Sequence, residues 1–460
     1  MNEASLKVLV AGVLLLAYAA LCAGTYWRSR RLGVANFKAS GALANDGATQ
    51  PELVLFATQT GQAEALARQT ANWLHAAGRP ARVLSMNAVD VDLLQQASRA
   101  LFIASTYGEG DAPDGASLFV ERVMNASTDL SGLRYAVLAL GDRQYADFCG
   151  FGRALDDWLQ RTGAAREYER IDVDNGDPAV LAKWRRQCHG QDLGTPSVRI
   201  DAPISEALPW RLAERRLLNP GSAGGPIYHL AFVPPPGVKD GQVDWESGDI
   251  VQLQLTTDPR HPREYSISSI SSDRELQLLV RQERHPNGTL GAASGLLTST
   301  LSVGDSITLR LRANRGFRLG ANADRPLILV GNGTGLAGLR SHLRARADAG
   351  QHDNWLVFGE RNARCDFLYR TEIEEWLSAG VLKRLDLVYS RDQEEHRYVQ
   401  HRLLRRSAEV LAWIGNGAAI YVCGSLRGMG TGVDAALWQI VGDGLMHTLT
   451  RDGRYRRDVY

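Results

Sequence analysis

The sequence is poor in the patterns that would make it a metal protein or a disulfide-stapled one. Its 460 residues hold five cysteines (Cys22, Cys149, Cys188, Cys365 and Cys423), scattered and never in a CxxC pair. Neither a zinc site nor a disulfide framework is indicated, and a reducing compartment fits best. Charge of one sign is not in excess: the formal net charge is +1, which gives the whole chain no attraction for nucleic acid. No repeat of solenoid period is present, so an array is excluded. The chain is too long for one ordinary core, and two or three domains are expected.

One stretch lacks charge altogether. From Val8 to Trp27, VLVAGVLLLAYAALCAGTYW carries no charged residue. Such a run spans roughly 30 Å as a helix, the thickness of a bilayer's hydrocarbon. Tyr26 and Trp27 stand at its end, followed by Arg28, Arg30 and Arg31, a basic excess that puts the following chain on the cytoplasmic side. The expectation is one transmembrane helix over 6–27 in the inner membrane, with catalytic domains in the cytoplasm. The competing reading is a cleaved signal peptide, against which stand the length of the run and a preceding region with only Lys7. Residues 28–50, rich in small and polar types, read as a linker.

After Pro51 strands and helices alternate. Strands are read at 52–58, 81–86, 99–106, 135–142 and 168–173, with helical stretches between them. The pattern predicts an α/β doubly wound domain over 51–190 with a parallel sheet, whose ligands sit at the carboxyl ends of the strands. Residues 191–225 read as a connection. From 226 to 323 short β runs with turn signals suggest an antiparallel β-barrel. From 324 to 460 alternation returns, giving a second doubly wound domain.

Three loops of the first domain carry chemistry. Thr58, Gln59, Thr60, Gly61, Gln62 and Ala63 end the first strand and open a helix, where backbone N–H groups and the helix dipole favour a phosphate. The loop has no lysine, so it is not of the GxxxxGK[ST] kind, and a monophosphate without a counter-cation is the better fit. An ordinary strand-to-helix turn is the alternative for this loop taken alone. Ser105, Thr106, Tyr107 and Gly108 follow the third strand, and Leu140, Gly141, Asp142, Tyr145, Phe148 and Cys149 the fourth. Tyr107 and Tyr145 can hold a planar ring between them. A ring plus a phosphate is flavin mononucleotide.

With these loops the chain resembles the diflavin reductases, the family of the sulfite reductase flavoprotein subunit and the NADPH–cytochrome reductases. The resemblance covers Pro51 to Tyr460. It implies a flavodoxin-like FMN domain joined to a ferredoxin–NADP reductase module, which is an FAD-binding barrel and an NADPH-binding domain. The family's Arg-x-Tyr-Ser motif stands here as Arg263, Glu264, Tyr265 and Ser266. A guanidinium matches a pyrophosphate oxygen, a tyrosine covers one flavin face, and a hydroxyl reaches flavin N5. Leu279, Val280 and Arg281, and Gly291, Ala292, Ala293 and Ser294, are implied FAD contacts.

Gly331, Gly333, Thr334 and Gly335 follow an apolar strand and precede a helix, a pyrophosphate-type turn where the family binds NADPH. Ser390 and Arg391 suit a 2′-phosphate. Arg397 stands near, Tyr398 can stack on adenine, and Gln400 can hydrogen-bond. The resemblance places Cys423 beside the nicotinamide, Tyr460 over the FAD face that the nicotinamide must occupy, and Asp458 with Ser266 and Cys423 around the reacting atoms. These four are the expected catalytic residues. The chain departs from the family where His396 replaces a lysine and where Ser425 and Gly432 replace aspartates. It also lacks the helical insertion before the Arg-x-Tyr-Ser motif, since Gly248 to Arg263 leaves no room for it. The geometry between the flavins then falls to the 191–225 connection, or is mobile.

The resemblance implies an NADPH-dependent flavoprotein oxidoreductase that passes electrons from NADPH to FAD to FMN. The expected acceptor is a protein, either a haem protein or a membrane ferric-chelate reductase. Glu109, Asp111, Asp114, Asp142 and Asp147 offer an acidic docking face, or only a solvated rim. One alternative is the flavoprotein component of sulfite reductase. A second is a non-catalytic flavin-binding scaffold, which would require loss of Cys423, Ser266 or Asp458; all are present.

Overall fold

Apolar runs of four to eight residues separated by turns build three sheets in a computed structural model of the chain. It describes residues 50–460 apart from 59–60, 108–109, 144–146, 190–206, 238–242, 393–394 and 396, and residues 51–460 form one compact unit. The first sheet holds β1 (Glu52–Ala57), β2 (Ala81–Ser85), β3 (Arg99–Ser105), β4 (Arg134–Gly141), β5 (Ala165–Arg166) and β6 (Ile171–Asp174). The order is β2-β1-β3-β4-β5, with β6 also on β4, and every pair is parallel. Central strands such as β3 and β4 are buried on both faces, which is why they read as unbroken hydrophobic runs. Helix Gly150–Arg161 lies on β4 at close range, because Gly152 leaves no side chain against Ala139.

The second sheet holds β7 (Leu208–Leu217), β8 (Ile227–Val233), β9 (Ile250–Leu255), β10 (Asp258–Ser266), β11 (Leu276–Arg281) and β12 (Ser306–Arg312), all antiparallel in the order β10-β9-β12-β7-β8-β11. A bridge between Ile267 and Leu278 joins the two end strands, so the sheet closes into a barrel. Strand β7 lies in the stretch that reads from sequence as a connection. Its charged residues face outward while Trp210 and Leu212 fill the barrel. Strands β9 and β10 form a tight hairpin, with Leu255 opposite Asp258, and that hairpin occupies the place of the missing insertion.

The third sheet is parallel, in the order β15-β14-β13-β16-β17, from β13 (Leu327–Asn332), β14 (Asn354–Glu360), β15 (Arg384–Tyr389), β16 (Ala419–Gly424) and β17 (Tyr455–Val459). The chain's last residues, charged and unpromising as a strand, pair with β16 along their whole length.

The expected transmembrane helix (6–27) and all of the linker but Gln50 lie outside the described residues. Among the described residues no helix is long and apolar enough to cross a membrane. The long C-terminal helix Thr431–Arg451 carries charged residues along its course and is no such span.

Candidate functional site

Parallel pairing gathers the predicted residues of the third sheet at one edge. In register across β13, β16 and β17 stand Gly331, Cys423 and Asp458. The glycines are there because nothing larger fits. A Cβ on Gly335 would lie 2.1 Å from the Cys423 carbonyl oxygen, and one on Gly331 would lie 2.7 Å from it. Beyond them a single turn, Gly333–Gly335, leads into helix Leu336–Asp348. The result is a cradle of backbone N–H groups at a helix start.

The barrel brings Ser266, the last residue of β10, to the same place. Its Oγ donates to Asp458 Oδ2 at 2.8 Å, and the Cys423 Sγ lies 3.8 Å from that same oxygen. Ser266 and Cys423, from distant parts of the chain, thus converge on the carboxylate of a third residue, Asp458. Burial pushes the Asp458 carboxyl up to about 6 against the Ser266 hydrogen bond, which favours the ionised form. Burial also raises the Cys423 thiol well above its ordinary value, so it stays a neutral thiol. Tyr460 follows the strand with its ring 58% exposed, and its hydroxyl is 3.0 Å from Thr334 Oγ1. The Tyr460 ring is therefore held to the glycine turn by one side-chain hydrogen bond, while its backbone pairs with Gly424 and Leu426.

Around this centre, Arg263 pairs with Asp258 at 3.3 Å, and Glu264 accepts from Gln252 at 2.8 Å. Burial pushes Tyr265 up to about 12. Arg281 reaches Glu360 at 2.7 Å and lies 3.0 Å from where a Gly333 Cβ would be. Val280 and Ala293 are buried in the barrel and Leu279 in the core of the third-sheet domain, which leaves only their backbone for a ligand. Gly291 begins the helical turn Ala292–Gly295, and Ser294 Oγ accepts from the Glu283 N–H at 3.1 Å.

Ser390 and Arg391 sit just past β15 at the same sheet edge. The Arg391 N–H donates to the Arg361 carbonyl at 2.8 Å, while its side chain is exposed and makes no ion pair with any described residue. Arg397 and Tyr398 are exposed nearby in sequence, Tyr398 at 51%. The Gln400 Oε1 is buried with no hydrogen-bond partner among the described residues, and Gly432 stands against its amide. His396 lies outside the described residues.

In the first sheet Thr58, Ser105 and Leu140–Gly141 end neighbouring strands, and Thr106 N–H donates to the Leu140 carbonyl at 2.8 Å. Gly61 has φ 90°, and its N–H donates to Thr58 Oγ1 at 2.8 Å, which turns the chain into helix Gln62–Ala76. Ala63 is buried under that turn, and Gln62 beside it is half-buried. Tyr107 donates its hydroxyl to the Val459 carbonyl, next to Tyr460. Arg143 lies 4.5 Å from the centre of the Phe148 ring, and Asp142 is half-buried. Cys149 does not offer its side chain to this edge. It is buried, its thiol faces the Ala139 carbonyl at 3.5 Å, and burial raises it to about 12. Gln59, Thr60, Gly108, Glu109 and Tyr145 lie outside the described residues.

Two features escaped the sequence reading. A cavity of about 280 Å³ opens between Thr58 and Gly61 on one side and the reductase module on the other, lined there by Arg315 and Arg456. The Arg315 Cβ lies 3.9 Å from where a Gly61 Cβ would be, so the loop read as free of a counter-cation has one next to it. The acidic rim is also partly spent internally: Asp114 pairs with Arg457 and Asp147 with Arg153.

Residues 54–184 match the flavodoxin family model, and 329–435 match the oxidoreductase NAD-binding domain model. The chain is similar to curated proteins named sulfite reductase [NADPH] flavoprotein alpha-component. That of Vibrio cholerae is 29% identical, with 88% of this chain and 87% of the relative covered. That of Bacillus subtilis is 26% identical over 88% and 89%, and that of Neisseria meningitidis 28% over 88% and 89%.

The chain is built as diflavin reductases are, with a flavodoxin domain followed by an oxidoreductase NAD-binding domain.

The chain is a flavoprotein oxidoreductase whose cofactors are FMN, FAD and NADPH. The alignment with the Vibrio protein runs to 534 positions, more than this whole chain holds, in keeping with the absent insertion. The expectation of a single-pass inner-membrane protein, anchored by one helix, is corrected. Its relatives over 88% of the chain are sulfite reductase flavoproteins, and no described helix is long and apolar enough to span a bilayer.

Proposed function

We propose that this diflavin reductase takes a hydride from NADPH at the Ser266–Cys423–Asp458 cluster and delivers electrons to a haemoprotein of the sulfite reductase kind. The observation that carries the hydride site is the convergence of Ser266 and Cys423 on one carboxylate oxygen of Asp458, beside the glycine turn. The acceptor rests on the likeness to the sulfite reductase alpha-components. The domain bounds proposed are those read from the sequence, 51–190, 226–323 and 324–460, with strand Leu208–Leu217 added to the barrel.

The residues present fit the three cofactors. Gly331 and Gly335 clear a cradle that a Cβ would fill, Gln400 Oε1 has no hydrogen-bond partner among the described residues, and Gly61 turns the phosphate loop with φ 90°. FAD accepts a hydride and FMN passes electrons onward one at a time. The chain supplies the rest. Asp458, once ionised, accepts from Ser266 and Cys423, which fixes both side chains, and its charge faces the positive charge that develops on the nicotinamide. Arg263 and Arg281 would hold FAD phosphates, and Ser390 and Arg391 would hold the 2′-phosphate. Tyr460 covers the hydride position and has to swing aside.

Combined with the haemoprotein component of a sulfite reductase, the chain is expected to drive NADPH-dependent sulfide formation. A rate no higher than that of the haemoprotein alone contradicts the acceptor. Two variants probe the sites. Tyr460→Ala removes the lid, whose displacement taxes the weaker coenzyme most; kcat/KM for NADH is expected to rise about tenfold, and an unchanged NADPH/NADH ratio removes that role. Arg315→Ala is expected to weaken FMN binding about tenfold and leave riboflavin binding unchanged, as loss of one charge-assisted contact to a phosphate does. Equal effects on both, read by flavin fluorescence titration, refute the contact.

A further inference from the structure

The terminal strand β17 has two faces, and they serve different parts of the molecule. Successive side chains of a strand point to opposite sides. On one side Asp458 meets Ser266 of the barrel, and Arg456 donates to the barrel carbonyls of Arg318 at 2.7 Å and Arg315 at 3.1 Å. On the other side Arg457 grips Asp114 of the flavodoxin domain, with Nε 2.9 Å from Oδ2 and Nη2 on Oδ1. Both partners are largely covered, at 18% and 28% exposure, so solvent screens this pair less than a surface one. Next along the strand, the Val459 carbonyl accepts from the Tyr107 hydroxyl. A third contact, His447 to Glu121 at 2.7 Å, joins the preceding helix to the flavodoxin domain. Tyr107 belongs to a loop read as an FMN site and Asp114 follows that loop, and Asp458 belongs to the cluster read as the hydride site.

We propose that β17 is the docking strand that seats the flavodoxin domain against the reductase module for electron transfer between the two flavins. Arg457, Asp114 and Tyr107 are its positioning residues. In this chain a strand of five residues does the orienting work for which the barrel has no insertion, and the 191–225 connection is not required to set the geometry. The proposal rests on the two-flavin reading above.

The test uses the full chain loaded with both flavins and mixed anaerobically with NADPH in a stopped-flow instrument. Asp114→Asn keeps the shape but removes the charge. The first phase, reduction of FAD, is expected to be unchanged, and the second, transfer to FMN, to slow at least tenfold. The conservative Asp114→Glu is expected to recover most of that loss, which a merely structural lesion does not do. Small-angle scattering is expected to show a larger radius of gyration for Asp114→Asn than for the parent. Should Asp114→Asn lose FMN, Arg457→Gln, on the reductase side of the same pair, gives the same two readings. The docking role is overturned if the variant that retains FMN shows an unchanged second phase and an unchanged radius. A parent protein that carries both flavins and shows no second phase sinks the two-flavin reading itself, a different outcome.

Discussion

Asp458→Asn is expected to lower the rate of FAD reduction by NADPH about 100-fold at pH 7, the size seen when one group aimed at developing charge is removed. The substitution keeps the volume and can still meet Ser266, whose Oγ lies 2.8 Å from the carboxylate. What it removes is the negative charge. The pH profile makes the argument sharper. Burial raises the Asp458 carboxyl to about 6, so it is protonated below that pH and ionised above it. The ionised form accepts two hydrogen bonds and offsets nicotinamide charge, so the rate of hydride transfer is expected to rise as pH passes upward through about 6. Asp458→Asn is expected to abolish that rise. The measurement is the single-turnover rate of flavin bleaching from pH 5 to 8. A parent profile without a step, or a variant that keeps it, assigns the charge elsewhere.

Arg391→Ala is expected to lower kcat/KM for NADPH about 100-fold while changing that for NADH no more than about threefold, because one bidentate pair to a phosphate is lost and NADH has no 2′-phosphate to lose. Arg391 is suited to the role by what it does not do. Its backbone is fixed by the carbonyl of Arg361, yet its guanidinium is exposed and makes no ion pair with any described residue. Steady-state kinetics with both coenzymes decide the matter, and equal losses for the two refute the assignment.

The central strands of the two parallel sheets were legible in the sequence because buried central strands are continuous apolar runs. Readings such as 99–106 and 135–142 differ from β3 and β4 by a single residue at one or both ends. Motif chemistry was legible where geometry is local, as in the glycine turn Gly331–Gly335. Strand β7 was not, because its alternation of Trp210 and Leu212 with arginines is short and lies beside proline and glycine. Strand β17 was hidden for a related reason: its arginines are polar partners of two other domains, not a solvated tail. The pairing of Asp114 with Arg457 spans 343 positions and leaves no local mark, so an acidic loop read as a docking face for another protein has a partner within the chain. Cys149 was misjudged from its place in a loop. Its left-handed backbone, φ 55°, turns the thiol into the core at the start of a helix.

The most direct test of the account is the flavin content and reducibility of the purified full chain. Acid extraction and separation of the flavins is expected to give one FMN and one FAD per polypeptide, both bleached by NADPH in the absence of oxygen. A chain that holds a single flavin after reconstitution with both, or holds two and is not bleached by NADPH, contradicts it.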